Sequence, residues 1–160
     1  MQISSETTDP RWRQTHIGHW LRMALERFDA RVLEIMAHHP GVPLGLSNLA
    51  ARDQVSAAHI HITRHLPEEG ARPTDLAARA GMTKQAMATL ITQCEAWGMV
   101  QRESHPGDAR AKRITFTETG LAWLHAYREA VAQAQEEMRA SVGTEVTTVI
   151  ALGLEAYSGQ

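Results

Sequence analysis

Four groups of side chains in this 160-residue chain have types and spacings with chemical meaning. The densest lies in SHPGDARAKRITFTETG, residues 104–120, where Pro106, Gly107 and Asp108 supply the fixed φ and the permissive backbone of a tight turn. Arg110, Lys112 and Arg113 follow at once, and apolar Ile114 and Phe116 then alternate with polar Thr115 and Thr117. This pattern predicts a β-hairpin with a cationic tip, suited to phosphate oxygens or to an electronegative minor groove. Asp108 is favoured in a turn for the bonds it makes to its own backbone. The second group is Lys84 with Gln85: a Gln amide can pair bidentately with adenine, and a Lys charge suits guanine or phosphate.

The third group is histidine, nine in all. His61 and His65 have the i, i+4 spacing that places two imidazoles on one helical face, His59 is close by, and His16, His19, His38 and His39 fall in or just after the first helix. A zinc-responsive protein is therefore an alternative reading, although no Cys or Glu constellation completes a tetrahedral set. The fourth is Cys94, at core spacing behind Met87, Leu90 and Ile91, which reads as a buried structural thiol rather than a redox sensor. No Gly-rich phosphate loop, nucleophile motif or acid pair is present, so neither an enzymatic activity nor a cofactor is expected.

Composition sets the frame for these groups. The length suits one domain with added helices, and 43% hydrophobic content is enough for a core. The formal charge is −2, so a polyanion site has to come from local clustering of Arg and Lys. One cysteine excludes an internal disulfide, no apolar run approaches the roughly 20 residues that span a bilayer, and MQISSETTDP lacks the apolar centre of a signal peptide. The expected location is the cytoplasm.

Helical periodicity governs most of the chain. From residue 11 to 38, Ile17, Trp20, Leu21, Ala24, Leu25, Phe28, Val32, Ile35 and Met36 recur at steps of three and four, predicting one long helix with a broad apolar stripe. HHPGVPLG ends it, and Ser47 is the expected N-cap of a short helix through residue 51. A helix over about 53–66 carries Val55, Ala58, Ile62 and Leu66 inward. Two short helices follow around a turn: Pro73 fits the first turn of one, Gly81 can end it in the left-handed conformation, and Thr83 is the N-cap of the next, which stops at Gly98. Strands over 99–103 and 113–117 then flank the basic tip. Helix, turn, helix, strand, wing and strand is the order of a winged helix, whose second helix can enter a major groove about 12 Å wide. Two more amphipathic segments close the chain, 118–140 with Leu121, Leu124, Tyr127, Val131, Ala134 and Met138, and 144–157 with Val146, Val149, Ile150, Leu154 and Tyr157.

The wing residues Asp108-x-Arg110, Ile114 and Thr117-x-x-Gly120, with DLAARAGMTKQAMATLITQCEAWGMVQR before them, resemble the MarR family of bacterial transcriptional regulators. The resemblance covers residues 70–122, and the helical flanks agree with it in order and length. It implies a mainly α fold with a small β-hairpin wing: an N-terminal dimerisation region over 11–52, a winged helix-turn-helix domain over 53–120 and C-terminal dimerisation helices over 118–158. The recognition helix spans about 83–97 and the wing about 99–117. The residues it implies for double-stranded DNA are Arg72, Thr83, Lys84, Gln85, Ala88, Thr89, Asp108, Arg110, Lys112 and Arg113. Two positions depart from the family pattern, Thr89 where relatives often carry arginine and Arg72 where a capping Ser or Thr is common.

The terminal helices have no second core to bury against, and an intertwined homodimer would hold two recognition helices about 34 Å apart on a pseudo-palindromic operator. The resemblance further implies a small aromatic acid as effector, with Trp12, His16, Trp20 and Met23 on the first helix and His59, Ile62 and His65 on the later one as candidate contacts. The expected function is that of a ligand-responsive repressor.

Overall fold

The computed structural model of the chain describes residues 9–159 apart from 53, 56 and 106, and gives the backbone alone for 57, 58, 61, 105 and 108–111. Among the described residues it is helical except for one antiparallel hairpin. The first expected helix is two: α1, Trp12–Thr15, and α2, Ile17–His38. His16 interrupts them in an extended conformation, and its Nδ1 accepts the His19 backbone N–H at 3.2 Å. Continuous apolar spacing conceals such a break, because a side-chain acceptor at an N-cap can restart a helix without disturbing the period.

Helix α3, Leu44–Ala51, also departs from expectation. It starts behind Pro43, whereas Ser47 lies inside it, buried, with Oγ donating to the Leu44 carbonyl at 3.0 Å. A hydroxyl that can bond back into its own helix is as content within a turn as at its start, so Ser alone does not mark an N-terminus. Helix α4, Ala57–His65, is shorter than the expected 53–66, of which residues 53 and 56 lie outside the described set.

The centre follows the sequence closely. Pro73 opens α5, Pro73–Arg79, at its first position, Gly81 sits at φ +62°, and Thr83 caps α6, Lys84–Ala96, its Oγ1 accepting from the Ala86 N–H at 3.2 Å. Strand β1, Val100–His105, pairs with β2, Asp108–Phe116, from Val100 opposite Phe116 to Ser104 opposite Lys112. The second strand is thus longer than expected and begins at Asp108, which pairs with His105 beyond a register irregularity, so Asp108, Arg110 and Lys112 belong to the strand and not to the turn. Ala71 adds a rung on the far side of β2, exchanging two backbone bonds with Ile114 at 3.0 and 2.7 Å, which leaves β1 as the outer strand.

The base of the hairpin is tied to α7, Glu118–Val142, by a corner that accounts for the Thr-x-x-Gly spacing. Thr117 Oγ1 accepts the Gly120 N–H at 3.0 Å and donates to the Gly98 carbonyl, while the Thr117 N–H donates to the Met99 carbonyl at 3.1 Å. One threonine therefore caps the helix and closes both ends of the wing. One turn on, buried Trp123 donates its indole N–H to Thr63 of α4 at 3.1 Å.

The face of α7 that packs inward carries Trp123, Ala126, Ala130 and Ala134; of the expected stripe only Ala134 is buried, whereas Leu121, Leu124, Tyr127, Val131 and Met138 are only partly buried along its edge. Small residues let α2 approach closely, which a reading that weights large apolar side chains misses. Arg31 of α2 spans to Glu137 of α7 with bonds of 2.6 and 2.8 Å, and this contact holds the Glu137 carboxyl down at about 2. Val32 and Met36, Ile62 and Leu66, Leu76, Met87 and Ile91, Ile114 and Trp123 all join one core cluster. The outer end of α2 and the last helix α8, Thr144–Ser158, do not: Ile17, Trp20, Leu25, Val146, Val149 and Leu154 are exposed.

Candidate nucleic-acid interface

Helix α6 has two faces with different chemistry. Met87, Leu90, Ile91 and Cys94 are buried against the core, and Lys84, Gln85, Ala88 and Thr89 are exposed along the opposite side. The exposed run begins at the capped N-terminus, where free backbone N–H groups and the helix dipole favour an anion. Thr89 donates its hydroxyl hydrogen to the Gln85 carbonyl at 3.1 Å, which leaves its lone pairs and methyl outward. Arg72, exposed at the N-cap of α5, makes no side-chain cap bond. Cys94 is fully buried, and burial pushes its thiol up to about 12, so it stays protonated and inert.

Of the wing cations whose side chains are described, Lys112 and Arg113 lie on opposite faces of the strand. Lys112 is exposed, its Nζ 3.5 Å from Ser104 Oγ. Arg113, next along the strand and therefore on the other face, is partly buried and donates to Glu103 directly across the ladder at 3.3 Å. The backbones of Asp108 and Arg110 lie in β2, but their side chains are outside the described set, as is that of His61. Two residues that spacing did not single out join the wing to the recognition helix. Arg102 of β1 donates to Glu95 of α6 at 3.0 Å and to Thr92 at 3.4 Å. Charge alone offered no signal for this, since the partners are seven and ten positions apart on different elements.

The expected effector residues fall into separate places. Trp12, His16, Trp20 and Met23 lie on α1 and the start of α2, exposed, with ring contacts running from Trp12 to His16 at 6.4 Å, His16 to His19 at 6.3 Å and His19 to Trp20 at 5.1 Å. His59 instead sits against Trp97, the C-cap of α6, with ring centres 4.6 Å apart, and its burial lowers its pKa and favours the neutral ring. Ile62 is fully buried in the core and His65 is half-buried. Two grooves of about 360 and 400 Å³ flank α2, the first lined by Arg31, His38, His39 and Gln133 among others and the second by Leu25, Asp29 and Leu33. None of the expected effector residues lines either one. Among the described residues no three of His, Cys, Asp and Glu are grouped so as to hold a metal ion, and no helix is long and apolar enough to cross a membrane.

Residues 53–111 match the model of the MarR family. The fold is shared with the transcriptional repressor CouR bound to a 23-mer DNA duplex, at a TM-score of 0.70 and 18% identity over 96% of this chain and 99% of that one. It is similar to BpsR of Bordetella bronchiseptica, whose DNA binding is regulated by 6-hydroxynicotinic acid, at a TM-score of 0.67 and 17% identity over 95% and 99% of the two chains. The apo form of MarR from E. coli gives a TM-score of 0.65 and 16% identity, with 89% of this chain and 96% of that one covered. At these identities the structural likeness is one of fold. The segment that matches the MarR family model, residues 53–111, holds the capped recognition helix and the first strand of the wing, and ends within the second.

Proposed function

We propose that this protein is a homodimeric transcriptional repressor that binds a pseudo-palindromic DNA operator through α6 and the wing, in the cytoplasm, and releases it on binding a small aromatic acid. The observation that carries the reading is the exposed face of α6: a Thr83-capped N-terminus followed by Lys84, Gln85, Ala88 and Thr89, beside a hairpin that projects from the same core. The winged unit over 53–120 presents this face, and the helices on either side of it supply the dimer contacts. Exposed apolar residues on α8 and on the outer half of α2 support that part of the reading, because a protomer alone leaves them in water. CouR in complex with duplex DNA and BpsR with its aromatic acid regulator are consistent with both partners.

Selection of bound fragments from a random duplex library gives the operator, and two variants then separate positioning from base reading. Arg110→Ala is expected to weaken binding to every duplex by about 1 to 3 kcal/mol and to flatten the salt dependence of log K by about one unit, as loss of a phosphate contact does. Fluorescence anisotropy over a range of salt concentrations measures both quantities, and unchanged affinity in a folded variant would remove Arg110 from the interface. Gln85→Ala is expected to change the ranking of operator variants by about 1 to 3 kcal/mol at one base pair. An equal loss on all variants would make Gln85 a positioning residue only.

The effector reading rests on the ring-rich start of α2 and on the half-buried His59–Trp97 pair. A ligand there can release DNA only through different affinities for the free and DNA-bound shapes.

A further inference from the structure

The hairpin is a lever with a short hold. In the ladder order Ala71, β2, β1, the inner strand is flanked on both sides, whereas among the described residues the outer edge of β1 has no strand beside it. Beyond the corner at its base, β1 is held to the recognition helix by the side chain of Arg102. That residue sits opposite Ile114, on the sheet face that carries buried Val100, Ile114 and Phe116, and so points toward α6. Its Nε donates to Glu95 Oε2 at 3.0 Å and its Nη2 to Thr92 Oγ1 at 3.4 Å. Thr92 Oγ1 in turn donates to the carbonyl of Ala88, on the exposed face of the helix, at 3.0 Å. The chain of bonds thus runs from the wing into the turn of α6 that faces outward.

We propose that Arg102 and Glu95 are positioning residues that fix the angle of the wing relative to the recognition helix, so that both reach DNA together. The proposal rests on the DNA-binding reading above. From Arg102 to the tip at Gly107 the strand extends roughly 17 Å at ~3.3 Å per residue, so a swing of about 10° at the base displaces the tip by about 3 Å. A displacement of that size exceeds the whole range of a hydrogen-bond distance and would separate the tip cations from their phosphates. Arg102 itself is a poor phosphate ligand, because two of its five donors are engaged and the Glu95 carboxylate beside it offsets its charge and repels an anion. Among the described side chains the wing cations thereby fall in two groups: Arg102 and Arg113 are paired with Glu95 and Glu103 at the base, and Lys112, exposed farther out, has Ser104 as its neighbour.

The test compares Arg102→Ala, Arg110→Ala and the exchanged pair Glu95→Arg/Arg102→Glu. The first readout is amide hydrogen exchange over 100–116 without DNA, and the second is binding to a 30-base-pair duplex selected by the wild-type protein, at several salt concentrations. Arg102→Ala is expected to speed exchange in the outer strand and to weaken binding about fivefold to tenfold, the loss that follows removal of one charged hydrogen-bonded pair, with the salt slope falling only as the loosened tip loses its phosphates. Arg110→Ala lowers the slope and leaves exchange alone, and the exchanged pair restores wild-type exchange. A slope that falls for Arg102→Ala while exchange in the outer strand stays at the wild-type rate would make Arg102 a phosphate contact and overturn the proposal. Wild-type exchange together with wild-type affinity in Arg102→Ala would overturn it as well. Absence of salt-dependent binding by the wild-type protein would sink the DNA reading instead, with the exchange experiment still deciding whether the clasp holds the wing.

Discussion

Replacing Val149 and Ile150 together by aspartate is expected to convert the protein to a monomer and to lower its affinity for a two-half-site operator by about 10²- to 10⁴-fold, the gain that linking two binding modules provides. Both residues lie on α8, which packs in the protomer chiefly against α7 among the described residues, and Val149 is 69% exposed. The protomer should therefore keep its fold, since substitutions at exposed positions usually change stability by less than about 0.5 kcal/mol. In a dimer the same carboxylates would be buried without partners, which is strongly unfavourable. Sedimentation velocity gives the mass, circular dichroism the fold, and anisotropy on single and paired half-sites the loss of linkage. A dimer with wild-type affinity for the paired site would place the interface elsewhere. A charge at Leu124 is a less clean probe, because that side chain packs against the core of its own protomer.

The second large effect is expected at Gly120. A Cβ added there would lie 1.9 Å from the Met99 carbonyl oxygen and 3.0 Å from the Phe116 ring. The carbonyl cannot retreat freely, because it accepts the Thr117 N–H at 3.1 Å in the corner that closes the wing. Gly120→Ala must therefore either push β1 off α7 or unwind the first turn of the helix. A destabilisation of about 3 kcal/mol or more is expected, at the upper end of what overpacking produces, and for a chain of this size that lowers the melting temperature by roughly 6 to 12 °C. Thermal unfolding followed by circular dichroism measures it, and a melting temperature within a degree of wild type would show that the corner can relax.

Where the sequence was informative, the deciding physics was local. Pro73 at the head of α5, Gly81 in the left-handed turn and Thr83 at the head of α6 each act through their own backbone or the next three residues, so the helix-turn-helix was legible residue by residue. The alternation in 114–117 was legible for the same reason, since a strand's two faces follow from a period of two. Signals that rely on one residue's possible local bond were weaker. Ser47 satisfied its hydroxyl inside a helix, and His16 broke one where the apolar spacing ran through unchanged.

What the amino-acid order determined by itself, then, was the succession of elements from α2 onward, the inner and outer faces of α6, and the family resemblance that the wing signature carries. Tertiary structure decided the rest. Only the packed fold turned the inner face of α7 to Trp123 and its alanines, set Arg113 against Glu103 and Arg102 against Glu95, and placed His59 on Trp97 rather than beside Trp20. Each of these depends on which residue of a distant element happens to lie within about 4 Å, a distance that no periodicity encodes. The Thr117-x-x-Gly120 spacing shows the boundary between the two: the cap was open to a local reading, but the need for glycine comes from the Met99 carbonyl, which only the folded chain brings against it.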